Sequence, residues 1–203
     1  MKLGELYIIS APSGAGKTTL VNALLASLDN IQISVSYTTR PPRAKEVNHR
    51  DYVFLDEETF EQYQQQNRFL ESAKVFKYSY GTSKDWVEEK LKAGIDVVLE
   101  IDWQGARIVK SITDCVSIFL LPPSKQDLKK RLELRNQDKK EVIEYRMEQA
   151  NEEISHYAEY DYVVVNDDFE KAAQELIAII RARRLVTARQ KVQYQELISE
   201  LLA

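Results

Sequence analysis

The residues with the clearest chemical purpose form the run Ala11-Pro12-Ser13-Gly14-Ala15-Gly16-Lys17-Thr18. It matches the phosphate-binding pattern G-x-x-x-x-G-K-[ST], with Ala11 in place of the first glycine. Gly14 and Gly16 let the backbone wrap closely, so that successive N–H groups converge on phosphate oxygens. Lys17 adds a positive charge for the outer phosphates. Thr18 opens a helix whose N-terminus favours anions, and its hydroxyl can serve Mg2+. The apolar run Leu6–Ser10 enters this turn and a helical pattern over 18–28 leaves it, the context in which the pattern binds a nucleoside triphosphate. A chance glycine-rich turn needs none of these features together. The pattern alone does not separate kinases from GTPases or ATPases.

Two further groups are basic. In Ser34-Val35-Ser36-Tyr37-Thr38-Thr39-Arg40-Pro41-Pro42-Arg43, two arginines sit around a diproline that limits flexibility, and each guanidinium can grip a phosphate in fork geometry. Segment 37–50 carries Arg40, Arg43, Lys45 and Arg50 against Glu46 alone, a net +3 with His49 neutral. Segment 125–146 holds eight basic residues against five acidic ones, and Arg131 and Arg135, four apart, share a helical face. By charge alone each segment reads equally as a solvated surface. Glu100, at the end of the apolar run 97–101, resembles the acid that holds magnesium or its waters in many phosphate-binding proteins.

The elements that must position these groups alternate. Apolar runs at Leu6–Ser10, 97–101, Val116–Leu121 and Tyr162–Val165 read as strands, and helical patterns follow them at 18–28, 104–112, 124–135 and after 166. Ser124 is placed to cap the third helix, and Leu176, Ile177, Ile180 and Leu185 of the last can face a core. Nearly continuous apolar strands separated by helices predict an α/β fold, a parallel sheet with helices on both faces. Between Ser34 and Tyr80 the rhythm changes to shorter strands at 34–38, 52–55 and 69–76 with a helix over 57–65, a small mixed α+β insertion.

Read in order, the glycine-lysine-threonine loop, Ser-x-Ser-x-Thr-Thr-Arg-x-Pro-Arg, Phe69-Leu70-Glu71, Tyr80-Gly81-Thr82, Glu100-Ile101-Asp102-x-Gln104-Gly105 and Val165-Asn166-Asp167-Asp168 strongly resemble the guanylate kinases, enzymes that phosphorylate GMP with ATP. The motifs span about residues 6–168, and the C-terminal helix resembles the bacterial type. The resemblance implies a P-loop nucleoside monophosphate kinase fold, with a core over 1–33, 83–124 and 150–203, a GMP-binding insertion over 34–82 and a lid over 125–149. It implies that Ala11, Pro12, Ser13, Gly14, Ala15, Gly16, Lys17, Thr18, Thr19 and Asn166 bind ATP, with Asn166 near the base. Arg40, Arg43, Tyr52 and Tyr80 match positions that hold the GMP phosphate, and Ser36, Glu71, Thr82 and Asp102 match positions that contact or orient guanine. A carboxylate suits guanine's N1–H and amino group, whereas adenine would leave Glu71 unpaired at a cost of ~1–3 kcal/mol. Lys17, Arg40, Arg43, Arg131, Arg135 and Arg146 are the implied catalytic charges, and Mg2+ is the implied cofactor, served by Thr18 and, through water, by Glu100. The implied substrates are ATP with GMP and dGMP. The sequence departs from the family at Leu134-Arg135-Asn136, where relatives often carry glycines, and at Lys45 and His49, where many carry glycine.

Composition bounds the rest. A chain of 203 residues, 44% hydrophobic and 30% charged with a formal charge of -4, suits one large domain with insertions rather than two domains. It does not suit a disordered chain or a general nucleic-acid binder. No run approaches ~18 apolar residues and the N-terminus lacks a long apolar stretch with a small-residue cleavage site, so neither a membrane span nor a signal peptide is expected, and the lone Cys115 agrees with a reducing cytoplasm. Two histidines and one cysteine give no zinc spacing; His49 reads as a loop residue, His156 as a helix-end residue, and Trp86 and Trp103 as packing residues. Segment 180–191 has five bases and no acid, while 148–170 has eight acids and no Lys or Arg, so the two are expected to pair within the molecule or with a neighbour. The terminal Leu197-Ile198-x-x-Leu201-Leu202 pattern fits a contact in a homo-oligomer or core packing equally well. Competing readings are a catalytically dead scaffold, a kinase for another phosphorylated acceptor and a regulatory switch. The intact Gly16-Lys17-Thr18, the Ser36/Glu71 pair and the two-arginine acceptor site respectively disfavour them.

Overall fold

The computed structural model describes residues 4–75, 77–135 and 140–203, without the side chains of residues 135 and 140–142. In chain order the elements are β1 (Leu6–Ser10), α1 (Lys17–Ser27), β2 (Ile31–Ile33), β3 (Tyr37–Thr38), β4 (Val53–Phe54), α2 (Glu57–Gln65), β5 (Phe69–Val75), β6 (Tyr78–Ser83) and α3 (Lys84–Lys92). They continue as β7 (Asp96–Leu99), α4 (Trp103–Ile112), β8 (Val116–Leu121), α5 (Lys125–Arg135), α6 (Lys140–Ser155), β9 (Tyr162–Val165), α7 (Phe169–Arg184), α8 (Thr187–Gln193) and α9 (Gln195–Leu201).

Five strands form one parallel sheet in the order β2-β7-β1-β8-β9, with β1 at its centre and wholly buried. Alternate side chains of β1 supply two cores. Tyr7 and Ile9 pack with Leu20 and Leu24 of α1 and Leu176 and Ile180 of α7, while Leu6 and Ile8 pack with Val87 of α3 and Val109 of α4. Both faces of the sheet are therefore covered, the α/β arrangement that the apolar runs predict. Helix starts follow local chemistry: Asp102 accepts from Gly105 N at 2.9 Å to cap α4, and Ser124 accepts from Asp127 N at 3.0 Å to cap α5.

A second sheet, β4-β3-β6-β5, lies within 37–83 and mixes a parallel β3/β4 pair with antiparallel β3/β6 and β5/β6 pairs. The strand expected at 34–38 is shorter, and a further strand that was not expected precedes it. Ile31–Ile33 joins the edge of the core sheet, and only Tyr37–Thr38 belongs to the small one. Helices α5 and α6 pack together through Leu128, Leu132, Ala150, Met147 and Ile154, so the charged 125–149 stretch has an apolar seam of its own.

Two expectations for the C-terminal third need correction. Leu185 does not face the core: it follows the last turn of α7 and is 69% exposed. The basic 180–191 segment pairs within the molecule, but its partners are Glu5 and Asp96 rather than the acids of 148–170. Asp96, 1% exposed, accepts from Arg184 Nε at 2.8 Å, Arg189 Nη2 at 2.9 Å and the Glu5 amide at 2.8 Å. Glu5 pairs with Arg183 and Arg189 and accepts from the Tyr7 hydroxyl. These contacts fasten α7 and α8 to the sheet where β1 and β7 begin. Removing one partner of a buried charge pair strands the other, so Asp96→Ala should lower the unfolding free energy by roughly 2–4 kcal/mol in urea titration. The same change at the exposed Glu61 of α2 should cost under about 0.5 kcal/mol.

Candidate active site

The glycine-rich loop leaves the C-terminal end of β1, the central strand, where ligands of open parallel sheets bind. Gly14 and Gly16 take φ of 90° and 95°, a left-handed conformation that L side chains rarely adopt. Gly16 is also crowded: a Cβ there would lie 2.6 Å from Asn166 Nδ2. The loop is braced from behind, because Asn166 Nδ2 donates to the Ala15 carbonyl at 2.7 Å and Arg131 Nη1 to the same oxygen at 3.2 Å. Arg131 Nη2 donates to the Asn166 carbonyl at 3.3 Å, and Leu128 and Leu132 pack against Gly14.

In front of the loop lies a cavity of about 300 Å³. Its walls include Ala11, Pro12, Ser13, Gly14, Gly16, Lys17 and Thr18 on one side and Ser36, Tyr52, Glu71 and Tyr80 of the 34–83 segment on the other, with Glu100 and Asp102 at the strand ends between them. A second cavity of about 480 Å³ opens beside the loop, where Thr19, Arg131 and Asn166 meet Leu134, Asp167 and Phe169. Most of the sequence-derived residues therefore gather around one cleft. Ala15 and Thr82 are fully buried behind it, and Arg40 and Arg43 do not line it. Arg146 is half-buried on α6, and the side chain of Arg135 lies outside the described residues, as do residues 136–139.

Glu71 is the most informative member. It comes from β5, is 5% exposed, and accepts from the Thr82 hydroxyl at 2.7 Å across the β5/β6 pair. Burial, partly offset by that hydrogen bond and assisted by the nearby Asp102, pushes its pKa up to about 7. Gly105 allows the approach, since a Cβ there would meet Glu71 Oε2 at 3.0 Å. Glu100 is distinctive in another way: its Oε1 is buried and finds no hydrogen-bond partner among the described residues. It shares a cavity wall with Lys17, Thr18 and Ser36. An unsatisfied buried carboxylate oxygen beside a hydroxyl is a hard-oxygen donor set, which fits Mg2+. Among the described residues no group of three or more His, Cys, Asp or Glu could hold a metal ion, so protein donors alone would not complete its shell.

A family model described as guanylate kinase matches residues 4–183. The chain belongs to the guanylate kinase family. The guanylate kinase of Methylococcus capsulatus is 54% identical over 203 residues and that of Escherichia coli K12 52% identical over 206, each match covering all of both chains. The crystal structure of guanylate kinase from Anaplasma phagocytophilum superposes with a TM-score of 0.78 at 35% identity, covering 93% of this chain and 90% of that one. A guanylate kinase is a nucleoside monophosphate kinase, a phosphotransferase acting between ATP and GMP, and the scaffold described above is the fold of that family.

Two acids of this guanylate kinase site were not among the residues singled out in the sequence. Glu46 accepts from Arg40 Nη2 at 2.8 Å and from the Arg43 amide at 2.8 Å, so it sets both the Arg40 side chain and the backbone of the diproline turn. The Arg40 guanidinium, 5.1 Å from the Tyr52 ring centre, holds the Glu46 carboxyl below the usual range. As the one acid among four bases in 37–50, Glu46 was detectable by its isolation. Glu153 of α6 reaches the cavity wall and accepts from the Ser13 amide at 3.1 Å, a contact 140 residues apart in sequence. Its spacing from Arg146, seven residues and hence one helical face, was the available signal. The histidines stand as expected: His49 is a loop residue, at φ 64°, and His156 follows α6 and stacks on Trp103 at 3.9 Å.

Removing the Thr82 hydroxyl deletes a hydrogen bond to the charged form of Glu71, so Thr82→Val should raise the Glu71 midpoint above about 7. Carboxyl 13C chemical shifts followed against pH in both proteins provide the measurement.

Proposed function

We propose that the residues around the cleft divide ATP:GMP phosphoryl transfer between two walls. The loop from Ala11 to Thr19 takes the triphosphate of ATP, and the side cavity at Asn166 takes its base. On the facing wall Ser36, Glu71, Thr82 and Asp102 read guanine, while Arg40, Arg43, Tyr52 and Tyr80 hold the GMP phosphate. The observation that carries this reading is Glu71, a buried carboxylate on the cavity that the Lys17 loop also lines. Guanine offers that carboxylate two donors, N1–H and the 2-amino group. These residues address base and phosphate, and none is assigned to the 2′-hydroxyl, so dGMP is a substrate as well.

In this reading an oxygen of the GMP phosphate attacks the γ-phosphorus in line. The bond from that phosphorus to the β–γ bridging oxygen breaks, and ADP leaves. No covalent enzyme intermediate or strong base is needed. Catalysis is positioning and charge neutralisation by Lys17, Arg40, Arg43, Arg131, Arg135 and Arg146. Mg2+, held by Thr18 and, through water, by Glu100, supplies further neutralisation of the phosphate oxygens when bound. The insertion over 34–82 and the lid over 125–149 close on the core over 1–33, 83–124 and 150–203 and exclude water. Arg131 braces the loop in the structure described here, so the reading requires it to exchange carbonyl partners for phosphate as the lid closes.

In this reading the enzyme works in the cytoplasm, alongside its nucleotides. The terminal leucines support a homo-oligomer contact rather than core packing, since Leu197, Leu201 and Leu202 are 50%, 75% and 82% exposed on α9 and just beyond it.

A coupled assay comparing GMP, dGMP, AMP and UMP with ATP tests the assignment, with turnover expected for the first two only. Lys17→Ala should abolish turnover while GMP binding largely survives; near-normal turnover in that variant sinks the reading. Glu71→Ala should weaken GMP binding by roughly tenfold or more and leave ATP binding within about twofold. Because Glu71 must be charged to accept from guanine, GMP affinity should also fall as pH drops through about 7. Glu71→Gln should flatten that slope in calorimetric titrations.

A further inference from the structure

Glu153 has no part in the chemistry proposed above, yet it is the acid that touches the phosphate loop. Its Oε2 accepts from the Ser13 amide at 3.1 Å, and the side chain lines the same cavity as Lys17. An outward-facing amide of such a loop is a phosphate-oxygen donor, so the Glu153 carboxylate oxygen stands where an anion's oxygen would bind. We propose that Glu153 is a built-in competitor for the ATP cradle, which the triphosphate must expel from the Ser13 amide before the loop can close on it. The proposal rests on reading the loop as the ATP site.

The surroundings agree. Burial raises the Glu153 pKa, and the Ser13 amide and the Lys17 ammonium partly restore the charged form. The other charged groups facing it are Asp102 at the start of α4 and Glu152 on its own helix, both of which disfavour its charge, and the Tyr160 hydroxyl lies on the same side. A second anion entering the cradle adds to this repulsion. A weak anion such as inorganic phosphate does not overcome the tethered carboxylate, whereas a triphosphate, with more charge and more loop contacts, does. Arg146 lies on the same face of α6 two turns earlier, so one helix brings both an acid that leaves the phosphates and a base assigned to them. Expulsion of Glu153 thus couples ATP arrival, and not GMP arrival, to the position of α6.

The test is calorimetric binding of the non-hydrolysable analogue AMP-PNP with Mg2+, from pH 8 down into the range where carboxylates titrate, to wild type, Glu153→Gln and Lys17→Ala. Glutamine keeps the acceptor and removes only the charge. Glu153→Gln should bind AMP-PNP about tenfold tighter than wild type at pH 8. The gap should narrow as pH falls, because protonation removes the same charge from the wild-type side chain; GMP affinity should stay within about twofold. Equal or weaker AMP-PNP binding by Glu153→Gln at every pH overturns the proposal. Unchanged AMP-PNP binding by Lys17→Ala would instead overturn the reading of the loop as the ATP site. A measurement on unaltered protein guards against a poorly folded variant. The Ser13 amide nitrogen resonance should follow the titration of Glu153 without nucleotide and stop following it when AMP-PNP is bound. A titration that AMP-PNP leaves unchanged also overturns the proposal.

Discussion

The carbonyl oxygen of Ala15 fastens the site together. It accepts from Asn166, just past the last strand of the sheet, and from Arg131 on α5, while the glycines on either side hold the backbone at positive φ. Three stretches remote in sequence meet at that atom. A loop that turns amides toward its cavity leaves carbonyls to be satisfied from behind, and two side chains do so for that of Ala15. The geometry of the cradle, the seat of α5 against Gly14 and the side cavity beside Thr19 all follow from this brace.

Much of the frame was legible because its signals are local. Strands such as Val116–Leu121 are apolar but for Ser117 and buried nearly throughout, and capping residues such as Ser124 sit beside the helices they start. What escaped had weak local signals. Strand Ile31–Ile33 is three residues long with a glutamine at its centre. Strand Tyr78–Ser83 is polar and held by its pairing with β5 rather than by an apolar run. The basic C-terminal segment was matched to the wrong acids because charge counting weighs every acid alike, whereas the fold buries Asp96 within reach of Arg184 and Arg189. Glu153 was hidden by the same kind of distance: nothing near it in sequence reveals that its partner is Ser13.

The formal charge of -4 is a poor description of the molecule's electrostatics. Four carboxylates, Glu71, Glu100, Asp102 and Glu153, line a single cavity that also holds the lysine of a phosphate loop. Their environments differ. Glu71 is buried against a hydroxyl, Glu100 has an unsatisfied oxygen, Asp102 caps a helix and Glu153 leans on a loop amide. Like charges gathered in so small a volume are tolerable because each has a separate donor or is placed to receive one. The proposed roles, a base reader, a metal holder, an orienting cap and a displaceable anion, map onto those four environments one by one.

The ion-pair knot at Asp96 also bears on how the chain is made. Asp96 lies near the middle of the sequence, beside Glu5 near its start, and the arginines that neutralise both are at positions 183, 184 and 189. A ribosome delivers the two acids long before it delivers those arginines. Until then the neighbouring ends of β1 and β7 carry uncompensated negative charge that a completed sheet would bury. The amino-terminal half therefore gains its full stability only when the end of α7 and the turn into α8 have left the exit tunnel, so a segment synthesised much later completes its folding.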